Sequence, residues 1–78
     1  MIRAGDRIKY VGYSTPRCKG IFGTVCETMV HGRPFLGASK GSYDNVPIMF
    51  DGWSKVFTAW ALNVKVVSYE SGDPQWEL

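Results

Sequence analysis

Apolar and polar residues alternate near the start of the chain, which is the pattern of a strand with one buried face. The stretch "DRIKY" places Ile8 and Tyr10 on one face and Arg7 and Lys9 on the other. A loop, "GYSTPRCKG", leads to a second apolar stretch, "IFGTVCET", in which Gly23 indicates a bulge or a close approach of two backbones. These stretches predict the first two strands.

The second half of the chain predicts three more strands. "VPIMFD" places Val46, Ile48 and Phe50 on one face, and Pro47 predicts an edge position there because proline cannot donate a ladder hydrogen bond. The "DG" pair that follows is a strong hairpin signal. "KVFTAW" then returns as the fourth strand, "ALN" as a tight turn and "VKVV" as a short fifth strand. Five short strands without a helical period predict an all-β fold, a small antiparallel barrel.

One long connection and one acidic tail complete the chain. Residues 29–45 contain three glycines and one proline and show no sustained period, so they predict a long loop with room for a short hairpin at its base. We divide the chain into a barrel domain, residues 1–69, and a C-terminal tail, residues 70–78. The tail has three acids and no base, whereas residues 1–69 hold nine bases against four acids, a net charge of +5.

Three glycine-containing motifs carry a resemblance to known domains. The stretches "AGDRIKYVG", "KGIFGTVCE", "VPIMFDG" and "ALNVKVV" resemble the SH3-like barrels and, among them, the KOW-type domains. In such domains a Gly-Asp pair opens the first strand, Lys-Gly precedes the second, and Gly-x-Val lies at its centre. Here these motifs are Gly5-Asp6, Lys19-Gly20 and Gly23-Thr24-Val25. The resemblance implies a five-stranded antiparallel barrel in which Gly20 turns the chain into the second strand and Gly23 lets that strand coil. It implies little about function, since such barrels host many activities.

Composition limits the class and the compartment of the protein. A chain that is 45% hydrophobic with a net charge of +2 is too apolar to be disordered. Its charged start lacks the apolar segment of a signal peptide, and no apolar run approaches the roughly 20 residues of a membrane span. We therefore expect a cytoplasmic protein without a membrane partner. Cys18 and Cys26 lack metal-ligand spacing, and we expect a loop thiol and a strand or core residue, respectively.

The residues needed for catalysis are sparse. His31 is the single histidine and falls in the predicted long loop, and no phosphate-binding glycine motif or metal-ligand cluster occurs. We therefore predict no enzyme, no cofactor and no metal. The type II dihydrofolate reductases are SH3-like chains of similar length that are identified by Val-Gln-Ile-Tyr on a late strand. Here the corresponding stretch "VFTAW" has Phe57, Thr58 and Ala59 instead, so that activity is the least favoured alternative.

Aromatic residues give the main functional prediction, a module that binds another protein. In "KVFTAW", Val56, Thr58 and Trp60 share one face while Phe57 and Ala59 share the other, so one large ring is left outside the core. Exposed apolar patches on small domains often mark interfaces. The predicted protein-binding residues are Met49, Trp53, Phe57, Trp60 and Trp76.

A KOW-like RNA- or DNA-binding protein is the alternative. Basic residues in or beside loops would face phosphates, with Tyr13, Phe35 or Tyr43 stacking on bases. The predicted nucleic-acid-binding residues are Arg17, Lys19, Arg33 and Lys40. The acidic tail opposes binding to a polyanion, which favours a protein partner. The sequence leaves open whether the chain forms a homo-oligomer.

Overall fold

The computed structural model describes residues 1–67, which form seven short strands and two single turns of 3-10 helix. The strands are β1 (Arg7–Tyr10), β2 (Phe22–Val25), β3 (Met29–Val30), β4 (Arg33–Pro34), β5 (Asn45–Phe50), β6 (Phe57–Trp60) and β7 (Val64–Val66). Five of them form one antiparallel sheet in the order β6-β5-β2-β1-β7 that curls into a half-barrel, and β3 pairs with β4 alone. The predicted all-β fold, a small SH3-like antiparallel barrel, is confirmed.

Period-two alternation places the core on the inner face of the sheet. In β1, Ile8 and Tyr10 are buried, and in β5 the inward residues Val46, Ile48 and Phe50 are fully buried, as the sequence predicts. The first 3-10 turn, the N-terminal residues and the loop before β5 add further buried side chains. These are Ile2, Cys18 and Ala38, and the remaining core residues, Val25, Ala59, Ala61 and Val64, lie in β2, β6, the second 3-10 turn and β7.

Pro47 lies in an interior strand, and the prediction of an edge position is wrong. β5 pairs with β2 on one side and with β6 on the other, where Pro47 lies opposite Thr58. The ladder to β2 ends at the pair Val25↔Ile48, so Pro47, the residue next to Ile48, has no partner in that ladder. Pro47 then needs only its carbonyl, which accepts a 2.8 Å hydrogen bond from the Cys26 N–H. A proline is tolerated in this strand because its missing donor falls where the ladder stops.

Gly23 marks a close approach of two backbones rather than a bulge. Its register is regular on both sides, opposite Ile8 in β1 and Phe50 in β5. A Cβ at this position would lie 2.8 Å from the Met49 carbonyl oxygen and 3.0 Å from the Phe50 Cα. Gly20 has a φ of +86°, so it turns the chain into β2 as predicted.

Two connections carry more structure than the sequence predicts. The loop after β1 contains a 3-10 turn, Pro16–Cys18, that buries Cys18 completely, so the predicted loop thiol is free but lies in the core. In the long loop, β3 and β4 form the short hairpin that the sequence allowed, with His31 and Gly32 both at positive φ. Further on, Ile2 and Ala38 exchange two backbone hydrogen bonds of 2.7 and 2.9 Å, which anchors the loop to the N-terminus.

The last part of the described chain closes the sheet. The predicted "DG" turn forms, with the Trp53 N–H donating to the Phe50 carbonyl at 3.0 Å, but β6 begins only at Phe57. The second 3-10 turn, Ala61–Asn63, replaces the predicted tight turn and leads into β7. Over residues 1–67, no helix has the length and apolar character that a membrane crossing requires.

Candidate functional site

An exposed pair of aromatic rings lies beside the end of β6. Trp60 points away from the core and is 44% exposed, and Tyr43, 71% exposed, contacts it edge to face with 5.1 Å between ring centroids. Leu62, 37% exposed, follows in the second 3-10 turn. We call Tyr43, Trp60 and Leu62 the loop face. Its Trp confirms the prediction that β6 leaves one large ring outside the core.

Backbone hydrogen bonds hold the loop face together. The Ala61 N–H donates to the Asp44 carbonyl and the Leu62 N–H donates to the Ser42 carbonyl, both at 2.8 Å. The Asp44 carboxylate also accepts a 3.0 Å bond from the Ser39 N–H, which closes the preceding turn of the loop. Tyr43 is therefore placed against Trp60 by the main chain, so the pair does not depend on side-chain attraction alone.

A groove of about 170 Å³ runs along β6 next to Trp60. One wall belongs to the connection after β1, and Asn63 fixes that wall. The Asn63 side chain is buried, and its Nδ2 donates to the Ser14 Oγ at 3.1 Å. The main-chain carbonyl of Asn63 accepts from the N–H groups of Val11 and Gly12. The groove is lined by Tyr10, Ser14, Thr15, Asn45, Phe57, Thr58, Ala59, Trp60 and Asn63.

The other residues predicted to bind protein lie outside the loop face. Phe57 is on the inner face of β6, with its ring centroid 5.6 Å from that of Phe50, so it packs against the core, and it also lines the groove beside Trp60. Trp53 is half-buried in the β5–β6 connection and covers Phe50 at 5.0 Å. Met49 is half-buried on the outer face of β5, opposite Thr24. Trp76 and the acidic tail, residues 70–78, lie outside the described residues.

A second, more polar groove, about 490 Å³ in volume, lies between the first 3-10 turn and the β5–β6 connection. The guanidinium of Arg17 lies over the Trp53 ring, 5.6 Å from its centroid. Close by in sequence, the Lys19 Nζ lies 3.4 Å from the centroid of the Tyr13 ring. Hydrogen bonding and positive charge from Lys19 lower the pKa of the Tyr13 phenol below its ordinary value of 10.0.

The four predicted nucleic-acid-binding residues divide into two groups. Arg17 and Lys19 lie in or beside the first 3-10 turn, where each contacts an aromatic ring. Arg33 lies in β4 at a third groove, about 560 Å³ in volume, and Lys40 lies in the loop before β5. Among residues 1–67, no cation contacts the ring of Tyr43 or Trp60. The two rings of the loop face, Tyr43 and Trp60, are thus separate from the cation–ring contacts.

The groups suited to acid–base or metal chemistry are dispersed. Over the described 67 residues, no set of three or more His, Cys, Asp and Glu side chains is close enough to hold a metal ion. His31 is exposed at the tip of the β3–β4 hairpin. Asp51 is paired with Arg7 at 2.8 Å, and hydrogen bonding from Arg7 lowers the pKa of the Asp51 carboxyl below 3.8.

Comparison of the chain with protein families, curated proteins and solved structures finds no match. The choice among functions therefore depends on the surfaces described above. Sequence reasoning did not group Tyr43 and Leu62 with Trp60. The missing information was long-range: nothing in the sequence indicates that residues 42–44 bond to residues 61–62.

Proposed function

We propose that this protein is a non-enzymatic module that binds another protein, and that the loop face is its contact surface. The observation that carries the proposal is the Trp60–Tyr43 pair, two aromatic rings held in the open by backbone hydrogen bonds. Trp and Tyr are enriched among the residues that dominate interface energies, because they bury a large area with few rotatable bonds. The adjoining groove along β6 can accept a partner's side chains beside the rings.

The exposed part of Trp60 is large enough to matter for affinity. A fully covered aromatic side chain buries about 150–250 Å², so covering the exposed 44% removes on the order of 100 Å² from water. At about 25 cal/mol per Å², this contributes about 2 kcal/mol to binding. A factor of about 30 in Kd corresponds to that contribution.

A pull-down with matched variants tests the proposal. The tagged full-length chain, its Trp60→Ala variant and its Phe22→Ala variant are incubated with lysate of the native host, and bound proteins are quantified by mass spectrometry. Phe22 is the control because its ring is also exposed on the sheet, at 38%, but lies in β2 away from the loop face. We expect a protein that is enriched by the wild type and by Phe22→Ala and lost with Trp60→Ala. Equal enrichment by both variants would contradict the loop face as the contact surface.

The mass in solution separates a foreign partner from a second copy. We expect a monomer by light scattering at micromolar concentration. A dimer that Trp60→Ala dissociates would keep the loop face as an interface but assign it to another copy of this chain. Both variants need the same thermal unfolding midpoint as the wild type, so that loss of binding is not loss of fold.

The proposed compartment is the cytoplasm, and the module is proposed to act without a cofactor. Support for the compartment comes from Cys18 and Cys26, both of which are free thiols. Reduced cysteines are usual in the cytosol, whereas small secreted domains are commonly rich in disulfides.

Binding to RNA or DNA is the second candidate, and it is favoured by charge. Residues 1–67 carry the nine bases and four acids noted above. Contacts with Trp53 and Tyr13 count against a nucleic-acid site at Arg17 and Lys19, because these cations already lie over the two rings. Bases would need a free ring face for stacking. Salt-dependent binding of a labelled oligonucleotide that Arg17→Glu with Lys19→Glu abolishes would favour this candidate over the protein-binding one.

A further inference from the structure

The groove between Arg17 and Trp53 is a separate surface from the loop face and has its own chemistry. It lies between the first 3-10 turn and the β5–β6 connection, and Trp53 forms its aromatic wall. That wall is fixed from behind, since the Trp53 ring packs on Phe50 at 5.0 Å and on Phe57 at 6.0 Å. The groove is lined by Arg17, Gly52, Trp53, Ser54, Lys55, Val56 and Phe57.

Two cations at this groove form no salt bridge with any residue of the described range 1–67. Arg17 and Lys55 are exposed, and within the first 67 residues neither forms a salt bridge. The salt bridge that the described chain does form joins Arg7 to Asp51. Since this part of the chain has five more bases than acids, its local charge is not balanced from within. The groove therefore combines two available positive charges with apolar surface from Trp53 and Val56.

We propose that this groove binds an acidic peptide segment of a partner protein. A Glu or Asp carboxylate pairs with Arg17 and Lys55, and a neighbouring apolar side chain of the segment packs against Trp53. A guanidinium that lies over an aromatic ring keeps its N–H edge free, and that edge matches the two oxygens of a carboxylate. The proposal names a second contact with a protein partner and does not depend on the loop face.

A peptide suits this geometry better than a nucleic acid does. Single-stranded nucleic acid gains affinity by stacking its bases on exposed ring faces. Arg17 lies over Trp53, and the neighbouring Tyr13 has the Lys19 Nζ at 3.4 Å from its centroid. A base that stacks on a ring face covered by a cation would have to displace that cation, whereas a carboxylate binds the cation where it lies.

Fluorescence anisotropy of the full-length chain with a labelled probe tests the proposal. The probe is a short fluorescein-labelled peptide of Glu and Gly with one Trp, and the reference probe has Lys in place of each Glu. Arg17→Gln with Lys55→Gln is compared with Arg33→Gln with Lys40→Gln, which removes the same charge from other loops. We expect the first pair to raise Kd by about tenfold or more and the second by about twofold or less. Trp60→Ala should leave this Kd unchanged, which separates failure here from failure of the loop face.

Five outcomes would overturn the proposal. If the wild type does not bind the Glu probe, or if it binds the Lys probe as well as the Glu probe, the groove is not specific for an acidic peptide. Equal weakening by the two double variants would indicate a diffuse positive field rather than a groove. A labelled oligothymidylate that binds more tightly, with the same loss on Arg17→Gln and Lys55→Gln, would assign the groove to nucleic acid. A tenfold gain on Glu70→Gln with Asp73→Asn and Glu77→Gln would assign it to the chain's own acidic segment.

Discussion

Replacing Gly23 with alanine should be the most damaging single-methyl change in the sheet. Gly23 lies in β2 between β1 and β5, and a Cβ there would meet the Met49 carbonyl oxygen at 2.8 Å and the Phe50 Cα at 3.0 Å. The third neighbour is Cγ2 of Ile48, also at 2.8 Å. Two of these three atoms belong to the backbone of β5, so they can move only if the two strands separate. A change of rotamer cannot relieve the overlap.

The size of the effect follows from these contacts. Inserting a methyl group into a packed core costs about 1–3 kcal/mol, and backbone neighbours place Gly23→Ala at the upper end of that range. Alanine recovers about 0.4–1 kcal/mol by restricting the unfolded chain. We therefore expect a net loss of about 2 kcal/mol in the free energy of unfolding. A domain of this size has about 3–5 kcal/mol in total, and its unfolding midpoint should fall by roughly 10 °C.

Urea unfolding followed by circular dichroism measures the loss, with the slope m as a check that the unfolded state is unchanged. Gly41→Ala is the control, because Gly41 has a φ of +74° and no atom within 4 Å of its hypothetical Cβ. That variant reports the cost of the left-handed backbone alone, about 1 kcal/mol. If Gly23→Ala loses no more free energy than Gly41→Ala, the close approach of β2 and β5 is not what requires glycine.

Three further predictions concern charge, thiols and catalysis. The depressed pKa of Asp51 means that its pairing with Arg7 stabilises the fold above pH 3.8 and is lost as pH falls through the lower folded-state value, so Asp51→Asn should flatten the acid limb of urea midpoints plotted against pH. The effect should be below about 1 kcal/mol because the pair is exposed, and an unchanged acid limb would contradict it. Cys18 is fully buried, and burial raises the pKa of the Cys26 thiol above 9.0, so both should react slowly with a chromogenic disulfide reagent until urea unfolds the chain; rapid labelling of the native protein would contradict this. Finally, dihydrofolate with reduced nicotinamide cofactor should give no change in absorbance, because β6 carries Phe57, Thr58 and Ala59 and lacks an amide and a phenol; measurable turnover would restore the least favoured alternative.

The inner and outer faces of the strands could be predicted because alternation is a local property. Ile8 and Tyr10 point inward and Trp60 outward, as the period of two requires. The role of Phe57 could not be predicted from β6 alone, since the pattern separates two faces without saying which one meets the core. Its neighbours Tyr10 and Phe50 come from other strands, and their contacts decide the matter.

Long-range contacts explain the remaining differences. Pro47 would require an edge position only if the pairing between β5 and β2 extended to it, because only then would its missing N–H break a ladder hydrogen bond. Here that pairing ends at Ile48, the next residue. Cys18 is buried because a single 3-10 turn points its side chain inward. The sequence of this loop, with its proline and glycines, does not indicate that such a turn forms. The same limit applies to Tyr43, whose position depends on bonds between two connections far apart in sequence.

The buried Asn63 connects a position outside the proposed contact surface to the groove beside it. A Cβ at Gly12 would overlap the Asn63 side chain, which also holds Ser14 and whose main chain bonds to Val11. The connection after β1 and the 61–63 turn are therefore held as one unit, and a protein bound at the proposed loop face would meet a wall that is set before contact. A bulkier residue at Gly12 would shift this unit. A substitution at Gly12, outside the proposed contact surface, would then change the affinity for the proposed partner.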